Sequence, residues 1–269
     1  MVETRNRRET RNRRETRNRR ETRNFASLRT HVVNGGRVEQ IGSVYRLSIP
    51  PATESAYVDA QLDDYDKTLP MRFANTPPRR LTLQARFSHP LGQLKGTAGF
   101  GFWNHPFGQE GQLLASPCNV WFFHASQESN MQVKPRFAGH GFSAAALNSP
   151  PLPTGGGRAG QTLLRGLDRL LQVRPISQLL MAFAQSMVRA SERALTHDLT
   201  QWHTYELLWE THIARFCVDG HECLRAPAPP TGPLGFVAWI DNYKAIVANG
   251  QYQFGYVAST QPQWLELIL

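Results

Sequence analysis

Apolar and polar residues alternate over segment 201–220, which reads QWHTYELLWETHIARFCVDG. The apolar positions of this alternation are Tyr205, Leu207, Trp209, Ala214, Phe216 and Val218. A period of two, rich in aromatic and β-branched residues, is typical of half-buried β-strands. Asp219-Gly220 follows directly, and this dipeptide favours a tight hairpin turn. The segment therefore predicts two antiparallel strands, with a further strand after the turn.

The same strand pattern recurs along most of the chain. Leu81–Phe87 alternates throughout, and Gly96–Trp103 is a glycine-rich run in which glycine permits close approach of another backbone or a ligand. The other predicted strands are short and lie between turn residues: two runs within Val32–Ile49, then Tyr57–Leu62, Val120–Ala125, Gly235–Asn242 and Gln251–Val257. Short strands separated by turns favour an all-β sandwich or jelly roll.

One segment departs from this pattern. After the Pro/Gly-rich stretch Pro150–Gly157, apolar residues recur at helical spacing up to about Thr196. The sequence predicts a helical insertion at about 158–195, divided into two helices at Pro175. Three roles stay open for this insertion. It packs against the sandwich, it forms a mobile lid over a cleft, or, least favoured, its arginine-rich face contacts a membrane surface.

The N-terminus is a six-residue repeat, ETRNRR, that runs over residues 3–24. It carries ten arginines and four glutamates, which is six of the chain's nine net positive charges. Because it has almost no apolar residues to bury, we expect residues 1–24 to be a disordered tail and residues 25–269 to form the β-sandwich domain. Arginines neutralise phosphates, but a simple-sequence expansion is the favoured interpretation, and nucleic acid is not the expected partner.

Cysteine and histidine usage limits which compartment and which cofactors can be expected for this protein. Cys118, Cys217 and Cys223 are an odd number of cysteines and fit no zinc or redox spacing, so we expect reduced thiols in the cytoplasm. No secretory signal and no apolar run of transmembrane length is visible in the sequence. The nine histidines show no His-x-His or His-x-x-x-His pair. The sequence therefore predicts no metal site and no cofactor.

The order of motifs resembles a known family. Trp202-His203-x-Tyr205, then Trp209, then a strand ending in Val218-Asp219-Gly220 resembles the laminarinase-like sandwiches of glycoside hydrolase family 16. That family belongs to the concanavalin A-like lectin/glucanase group, and the resemblance extends over about Leu81–Val257. It implies a concanavalin-like jelly-roll sandwich of two antiparallel sheets, and a polysaccharide or oligosaccharide as partner.

The resemblance also implies a catalytic strand, and here this chain departs from the family. The family's strand carries two glutamates and an aspartate at alternate positions, which places them on one face. The corresponding segment is Asn119–His124, which has no carboxylate, and the nearest acids are Glu110 and Glu128. The sequence therefore identifies no catalytic residue. His124 is not expected to act as a base because no nucleophile is identified near it, and for His203 the resemblance implies a structural role at the start of a strand.

Two groups of residues are candidates for ligand binding. Trp239, Asp241 and Tyr243 alternate, so we expect them on one strand face, where indoles stack on sugars and a carboxylate accepts from hydroxyls. The alternative is that Trp239 is core and Asp241 caps a turn. The second group is Trp103, Asn104 and His105, which follow the glycine-rich run.

Three functions stay open at this stage. The favoured one is a carbohydrate-binding, non-catalytic relative of family 16. The second is a glycoside hydrolase whose carboxylate pair has moved, with Asp241 as one member. The third is a structural or interaction protein that acts through the helical insertion. The residues lining one cleft would discriminate among them, and the sequence leaves the oligomeric state undetermined.

Overall fold

The computed structural model describes residues 28–67, 71–106, 115–130, 139–149, 188–248 and 251–269. The repeat tail lies outside these residues, so its predicted disorder stays a prediction. Within them the chain forms sixteen strands: β1 (Arg29–Val33), β2 (Arg37–Ile41), β3 (Val44–Ile49), β4 (Asp59–Asp63), β5 (Arg79–Phe87), β6 (Thr97–Trp103), β7 (Cys118–Ala125), β8 (Gly141–Asn148), β9 (Arg189–Leu195), β10 (His203–Trp209), β11 (Ile213–Val218), β12 (His221–Pro227), β13 (Gly235–Asp241), β14 (Tyr243–Ala248), β15 (Gln251–Tyr256) and β16 (Gln263–Ile268).

Fourteen of these strands form two seven-stranded antiparallel sheets. Sheet A has the order β1-β4-β13-β6-β7-β8-β9, and sheet B has the order β12-β11-β10-β5-β16-β3-β2. The remaining pair, β14 and β15, is a separate two-stranded sheet. The predicted all-β class with two large antiparallel sheets is confirmed.

The core lies between the two sheets and is built from alternate residues of each strand. Tyr205 of β10 contacts Phe100 of β6 and Phe122 of β7, with 5.0 Å between ring centroids in both cases. These three side chains are fully buried, and so is Trp209, whose Nε1 donates to the Pro230 carbonyl over 2.7 Å. Edge-to-face packing of aromatic rings across the interface joins sheet A to sheet B.

The predicted hairpin after β11 is confirmed. Asp219 and Gly220 have φ angles of 50° and 80°, the left-handed values that a two-residue turn between twisted strands requires. The Asp219 carboxylate accepts hydrogen bonds from the Thr204 backbone N–H at 2.8 Å and from His203 Nδ1 at 2.6 Å. His203 therefore ties the start of β10 to the turn, which is a structural role.

The helical insertion is not supported. In the part of the chain that the structure describes there is no helix, and the last seven predicted residues, Arg189–Leu195, are strand β9. β9 pairs with β8 from Phe142↔Leu195 to Asn148↔Arg189. Alanine, glutamate and arginine favour helix intrinsically, but the edge of sheet A supplies backbone partners that outweigh this preference. Residues 150–187, with Pro175, lie outside the described residues.

Two further findings bear on the expectations about membranes and thiols. Across the ranges given above, the structure contains no helix of the length and apolarity needed to cross a membrane. The three cysteines are free thiols, each partly buried.

Candidate functional site on the outer face of sheet A

Sheet A turns alternate side chains away from the core, and the strand registers align them in rows. We call this surface the outer face. Its three central rows, read from β4 across β13, β6 and β7, are Asp63–Val237–Gly101–Trp121, Gln61–Trp239–Gly99–Phe123 and Asp59–Asp241–Thr97–Ala125. Polar groups lie at the β4 end of each row, and large aromatic rings lie at the β7 end of two of them.

Four aromatic side chains on this face form what we call the indole shelf: Trp103, Trp121, Phe123 and Trp239. The rings of Trp103 and Trp239 are parallel within 5°, with 6.1 Å between their centroids. Trp121 contacts Trp239 at 5.2 Å and stacks on Phe123 at 4.9 Å. Trp239 is 7% exposed, whereas the other three rings are partly exposed. The shelf is thus a second apolar layer outside the core.

Glycines of β6 make room for the shelf. A Cβ on Gly99 would lie 3.0 Å from Cη2 of Trp239 and 2.3 Å from the Phe122 carbonyl oxygen. On Gly101 it would lie 2.5 Å from Cα of Trp121. The close approach predicted for this glycine-rich run is therefore used by the chain's own indoles and backbone.

A polar network borders the shelf. The Tyr65 hydroxyl accepts from Trp103 Nε1 at 2.7 Å and from Gln61 Nε2 at 3.3 Å, and it lies 3.2 Å from His105 Nδ1. Burial lowers the pKa of His105 to about 4, so this imidazole is neutral near pH 7. With two donors already directed at it, the Tyr65 hydroxyl directs its own proton to Nδ1 of His105.

Two carboxylates face each other beside this network. Asp241 of β13 and Asp59 of β4 are direct partners in the antiparallel register. Asp241 receives four hydrogen bonds. Its Oδ1 accepts from Thr97 N (3.1 Å), Thr97 Oγ1 (2.7 Å) and Tyr243 N (3.0 Å), and its Oδ2 accepts from the Tyr57 hydroxyl (3.2 Å). Burial raises the pKa of Asp241 to about 6. The chain's own donors therefore fix this side chain in place.

Asp59 has a different environment from its partner. It is 2% exposed, and no described residue donates a hydrogen bond to its buried Oδ1. Burial, and after it the neighbouring Asp241 carboxylate, raise the pKa of Asp59 well above its usual value. Asp59 is therefore a buried acid that lacks the hydrogen bonds Asp241 receives.

The sequence-predicted residues fall into two sets. Trp103, Trp239 and Asp241 share the outer face, and the indole of Trp239 donates to Thr97 Oγ1, which in turn donates to Asp241. His105 borders the shelf through Tyr65. Their role in ligand binding stays a prediction.

The second set differs from the expected arrangement. Asn104 donates to the Ser116 carbonyl and accepts from the Cys118 N–H, so it fixes the start of β7. β13 ends at Asp241, and Tyr243 begins β14, where its ring stacks on Phe254 at 5.6 Å. The continuous strand expected through Tyr243 is therefore not formed.

The histidines considered as bases are structural in this fold. His124 points into the sandwich and is 1% exposed. Its Nε2 donates a hydrogen bond to the Leu94 carbonyl at 3.0 Å. Burial lowers the pKa of His124 to about 4. His203 belongs to sheet B. Of the two acids flanking the expected catalytic strand, Glu128 pairs with Lys95, and Glu110 lies outside the described residues.

Sequence reasoning missed several residues of the site. Asp59, Gln61 and Asp63 alternate along β4, and Trp121 and Phe123 alternate along β7. The period-two polar pattern Asp-x-Gln-x-Asp was a readable signal for the first set. Trp121 and Phe123 could face either the core or the outer face, depending on the register of β7. The sequence of β7 is almost wholly apolar and does not fix that register.

Comparisons with known proteins give similarity without a sequence match. No family model matches the chain, and no curated protein sequence matches it. Similar solved structures include the Bacillus licheniformis β-glucanase, with 11% identity, 92% of this chain and 93% of that chain covered, and a TM-score of 0.42. A glycoside hydrolase family 16 endo-glucanase from Bacteroides ovatus is also similar, with 8% identity and a TM-score of 0.42. The alignment covers 92% of this chain and 97% of that chain.

A Clostridium perfringens endo-β-galactosidase that releases GlcNAcα1-4Gal is also similar, with 10% identity, 86% of this chain covered and a TM-score of 0.42. The chain spans 53% of that protein's length, but nearly all of each glucanase. Two of these three similar structures are glucanases, and one of the two is described as a family 16 enzyme. Identities and TM-scores this low transfer no residue role or activity to this chain.

Proposed function

We propose that this protein binds a polysaccharide on the outer face of sheet A and does not hydrolyse it. The observation that carries the proposal is the indole shelf, which places three partly exposed aromatic rings on the sheet face opposite the core. Flat aromatic faces stack on the apolar faces of sugar rings, and neighbouring polar groups exchange hydrogen bonds with hydroxyls. His105, which is partly exposed, supplies such a group at the border of the shelf, where Gln61 and Asp63 are buried.

The arrangement of acids favours binding over hydrolysis. β7 turns Asn119, Trp121 and Phe123 to the outer face, so the strand that the resemblance identifies as catalytic presents no proton donor or nucleophile. Asp241 is the best-placed acid beside the shelf, but four donors already occupy its two oxygens. A nucleophile must present an oxygen to the sugar, whereas Asp241 is 6% exposed and is held by hydrogen bonds from Thr97, Tyr243 and Tyr57.

The test compares two tryptophans that are both partly exposed, one on each sheet. Trp121→Ala removes a ring of the shelf, whereas Trp264→Ala removes a ring from the outer face of sheet B. Affinity for β-1,3- and mixed-linkage glucans is measured by titration calorimetry. We expect Trp121→Ala to weaken binding about tenfold or less, because one stacking ring contributes on the order of 1 kcal/mol. Trp264→Ala should leave affinity unchanged.

Melting temperatures of both variants show whether each still folds, and reducing ends are measured in the same samples. Absence of glucan binding by the parent chain, or an equal loss in the two variants, would retire the proposal.

One observation favours a second function, glycoside hydrolysis by a relocated acid pair. Side chains directly opposite in an antiparallel pair have Cβ atoms about 5 Å apart, and retaining glycosidases hold their two carboxyl groups at about that separation. Asp59, whose pKa is raised, would be the proton donor and Asp241 the nucleophile. Release of reducing ends at ordinary glycosidase rates, abolished by Asp59→Asn, would establish this function in place of binding alone.

A further inference from the structure

Three carboxylates gather at the β4 end of the outer face. Asp59 and Asp63 lie on one face of β4, and Asp241 lies opposite Asp59 on β13. Among the described residues one cation reaches them: Lys67 Nζ lies 3.9 Å from Asp63 Oδ2. His31 adds no charge near neutral pH, because burial, and then Lys67, lower its pKa. With its acids ionised, the cluster carries more negative than positive charge.

The cluster also holds an acceptor that lacks a donor. Asp241 receives four hydrogen bonds, and Asp63 receives one from Gln61 Nε2 at 2.6 Å. The buried Oδ1 of Asp59 receives none from the described part of the chain, although Asp59 is 2% exposed. Buried carboxylate oxygens in proteins are almost always hydrogen-bonded, so this oxygen marks a place where a ligand donor would fit.

We propose that Asp59 and its neighbours bind a primary ammonium group, and that the glycan on the indole shelf carries unacetylated amino sugars. This inference rests on the proposed function. An ammonium group has three N–H donors and a positive charge, so it satisfies Asp59 Oδ1 and offsets the excess of carboxylates. A hydroxyl group would donate a hydrogen bond to Asp59 Oδ1 but would leave the excess negative charge of the carboxylates uncompensated.

The geometry of the sheet allows one sugar to use both features. Trp239 pairs with Gln61, and Asp59 lies two residues further along β4, so Asp59 is a diagonal neighbour of Trp239. Diagonal neighbours in an antiparallel sheet are about 7–8 Å apart, which is about the width of one sugar ring with its substituent. A sugar ring placed next to Trp239 would therefore bring an amino substituent beside Asp59, and binding requires the side chains that cover Asp59 Oδ1 to move aside.

A proton competes with the ammonium group. Asp59 is surrounded by Asp241, Asp63, Lys67 and the Tyr57 hydroxyl, and burial and the neighbouring carboxylates raise its pKa well above the usual value, which favours a bound proton. Binding of a cation must displace that proton, since a protonated Asp59 offers the ammonium group no charge. Affinity for an amine should therefore fall as pH is lowered, whereas affinity for a neutral glycan should not.

The experiment uses the full chain and four probes in titration calorimetry at pH 7: glucosamine hexamer, N-acetylglucosamine hexamer, cellohexaose and spermidine. We expect the glucosamine hexamer to bind at least about tenfold more tightly than the N-acetylated hexamer. Asp59→Asn should abolish this advantage and leave cellohexaose affinity unchanged. Glu210→Gln, the same carboxylate-to-amide change at a partly exposed site beside sheet B, should preserve the advantage.

Each outcome has one meaning. Equal affinity for the two amino-sugar hexamers, or an advantage that survives both Asp59→Asn and Asp63→Asn, overturns the inference while cellohexaose binding still supports the proposed function. If the parent chain binds none of the glycans, both this inference and the proposed function are overturned. Spermidine binding as tight as the glucosamine hexamer overturns the glycan assignment and identifies a polyamine site. The Asp63→Asn variant keeps the test decisive if Asp59→Asn fails to fold.

Discussion

The Asp241→Asn substitution is expected to stabilise the protein at neutral pH. An asparagine Oδ1 can accept the three hydrogen bonds that Asp241 Oδ1 accepts from Thr97 and Tyr243, and its Nδ2 can donate to the Tyr57 hydroxyl oxygen. The side chain keeps its shape, but its bond with Tyr57 reverses direction, as it also can when Asp241 is protonated, so the Tyr57 proton must turn to another acceptor. What the substitution removes is the negative charge, which lies buried opposite Asp59.

The magnitude follows from the pKa of Asp241, which burial raises from 3.8 to about 6. Each pKa unit corresponds to about 1.4 kcal/mol, so the shift corresponds to about 3 kcal/mol. Because the folded pKa is the higher one, the native state holds a proton that the unfolded chain releases. The free energy of unfolding of the parent therefore falls as pH rises from about 4 to about 6, and this contribution is constant above that range.

Urea unfolding of the parent and of Asp241→Asn at pH 4, 5, 6, 7 and 8 measures this difference. We expect equal stability near pH 4 and an advantage for the variant that grows to about 3 kcal/mol by pH 7. Glu54→Gln, at a side chain that is 71% exposed, is the matched control and should show no such trend. A difference that is independent of pH, or a variant less stable than the parent at pH 8, would refute the reasoning.

Two other substitutions test the hairpin and the shelf. Partial burial alone would raise the pKa of Asp219, but hydrogen bonds from His203 and Thr204 hold it below its usual value. Asp219→Asn should therefore lower the melting temperature at pH 7, and this difference should vanish as pH falls through the folded pKa. Gly99→Ala should cost about 1–3 kcal/mol in urea unfolding, because its Cβ would overlap the Phe122 carbonyl. Unchanged stability would show that β6 shifts freely to admit a side chain.

Local signals in the sequence predicted the strands and the hairpin. Leu81–Phe87 lies within β5, and Gly96–Trp103 and Val120–Ala125 match β6 and β7 within two residues. In each case the signal is contained in the segment itself, as a period of two or as a dipeptide such as Asp219-Gly220 that favours left-handed φ angles. Such features need no knowledge of which strand lies next to which.

The helical prediction failed where the deciding partner was distant in sequence. Arg189–Leu195 contains residues that favour helix, and nothing within it indicates a strand. The partner that makes it a strand is β8, which lies more than forty residues earlier along the chain. Intrinsic preferences of less than about 1 kcal/mol per residue are readily outweighed by a full set of ladder hydrogen bonds.

The acid pair was missed for the same reason. Asp241 was a candidate from its own strand, but its significance depends on Asp59, which lies opposite it only because β4 and β13 are neighbours in sheet A. No periodicity in the sequence states that adjacency. The alternation of Asp59, Gln61 and Asp63 was readable, and it would have added the polar face of β4 to the candidate residues.

The shelf and the acids are physically one unit, and this decides how the site should be interpreted. The Trp239 indole donates to Thr97 Oγ1 at 2.9 Å, and Thr97 Oγ1 donates to Asp241 Oδ1 at 2.7 Å. The Trp239 ring is thereby linked through Thr97 to the same carboxylate that lies opposite Asp59. Since such chains of hydrogen bonds fix both members, the stacking surface and the charge are presented together at a fixed spacing. Under the proposed function, a ligand with an apolar ring face and a donor beside it would match that spacing, and a ligand with only one of these features would use half of the site.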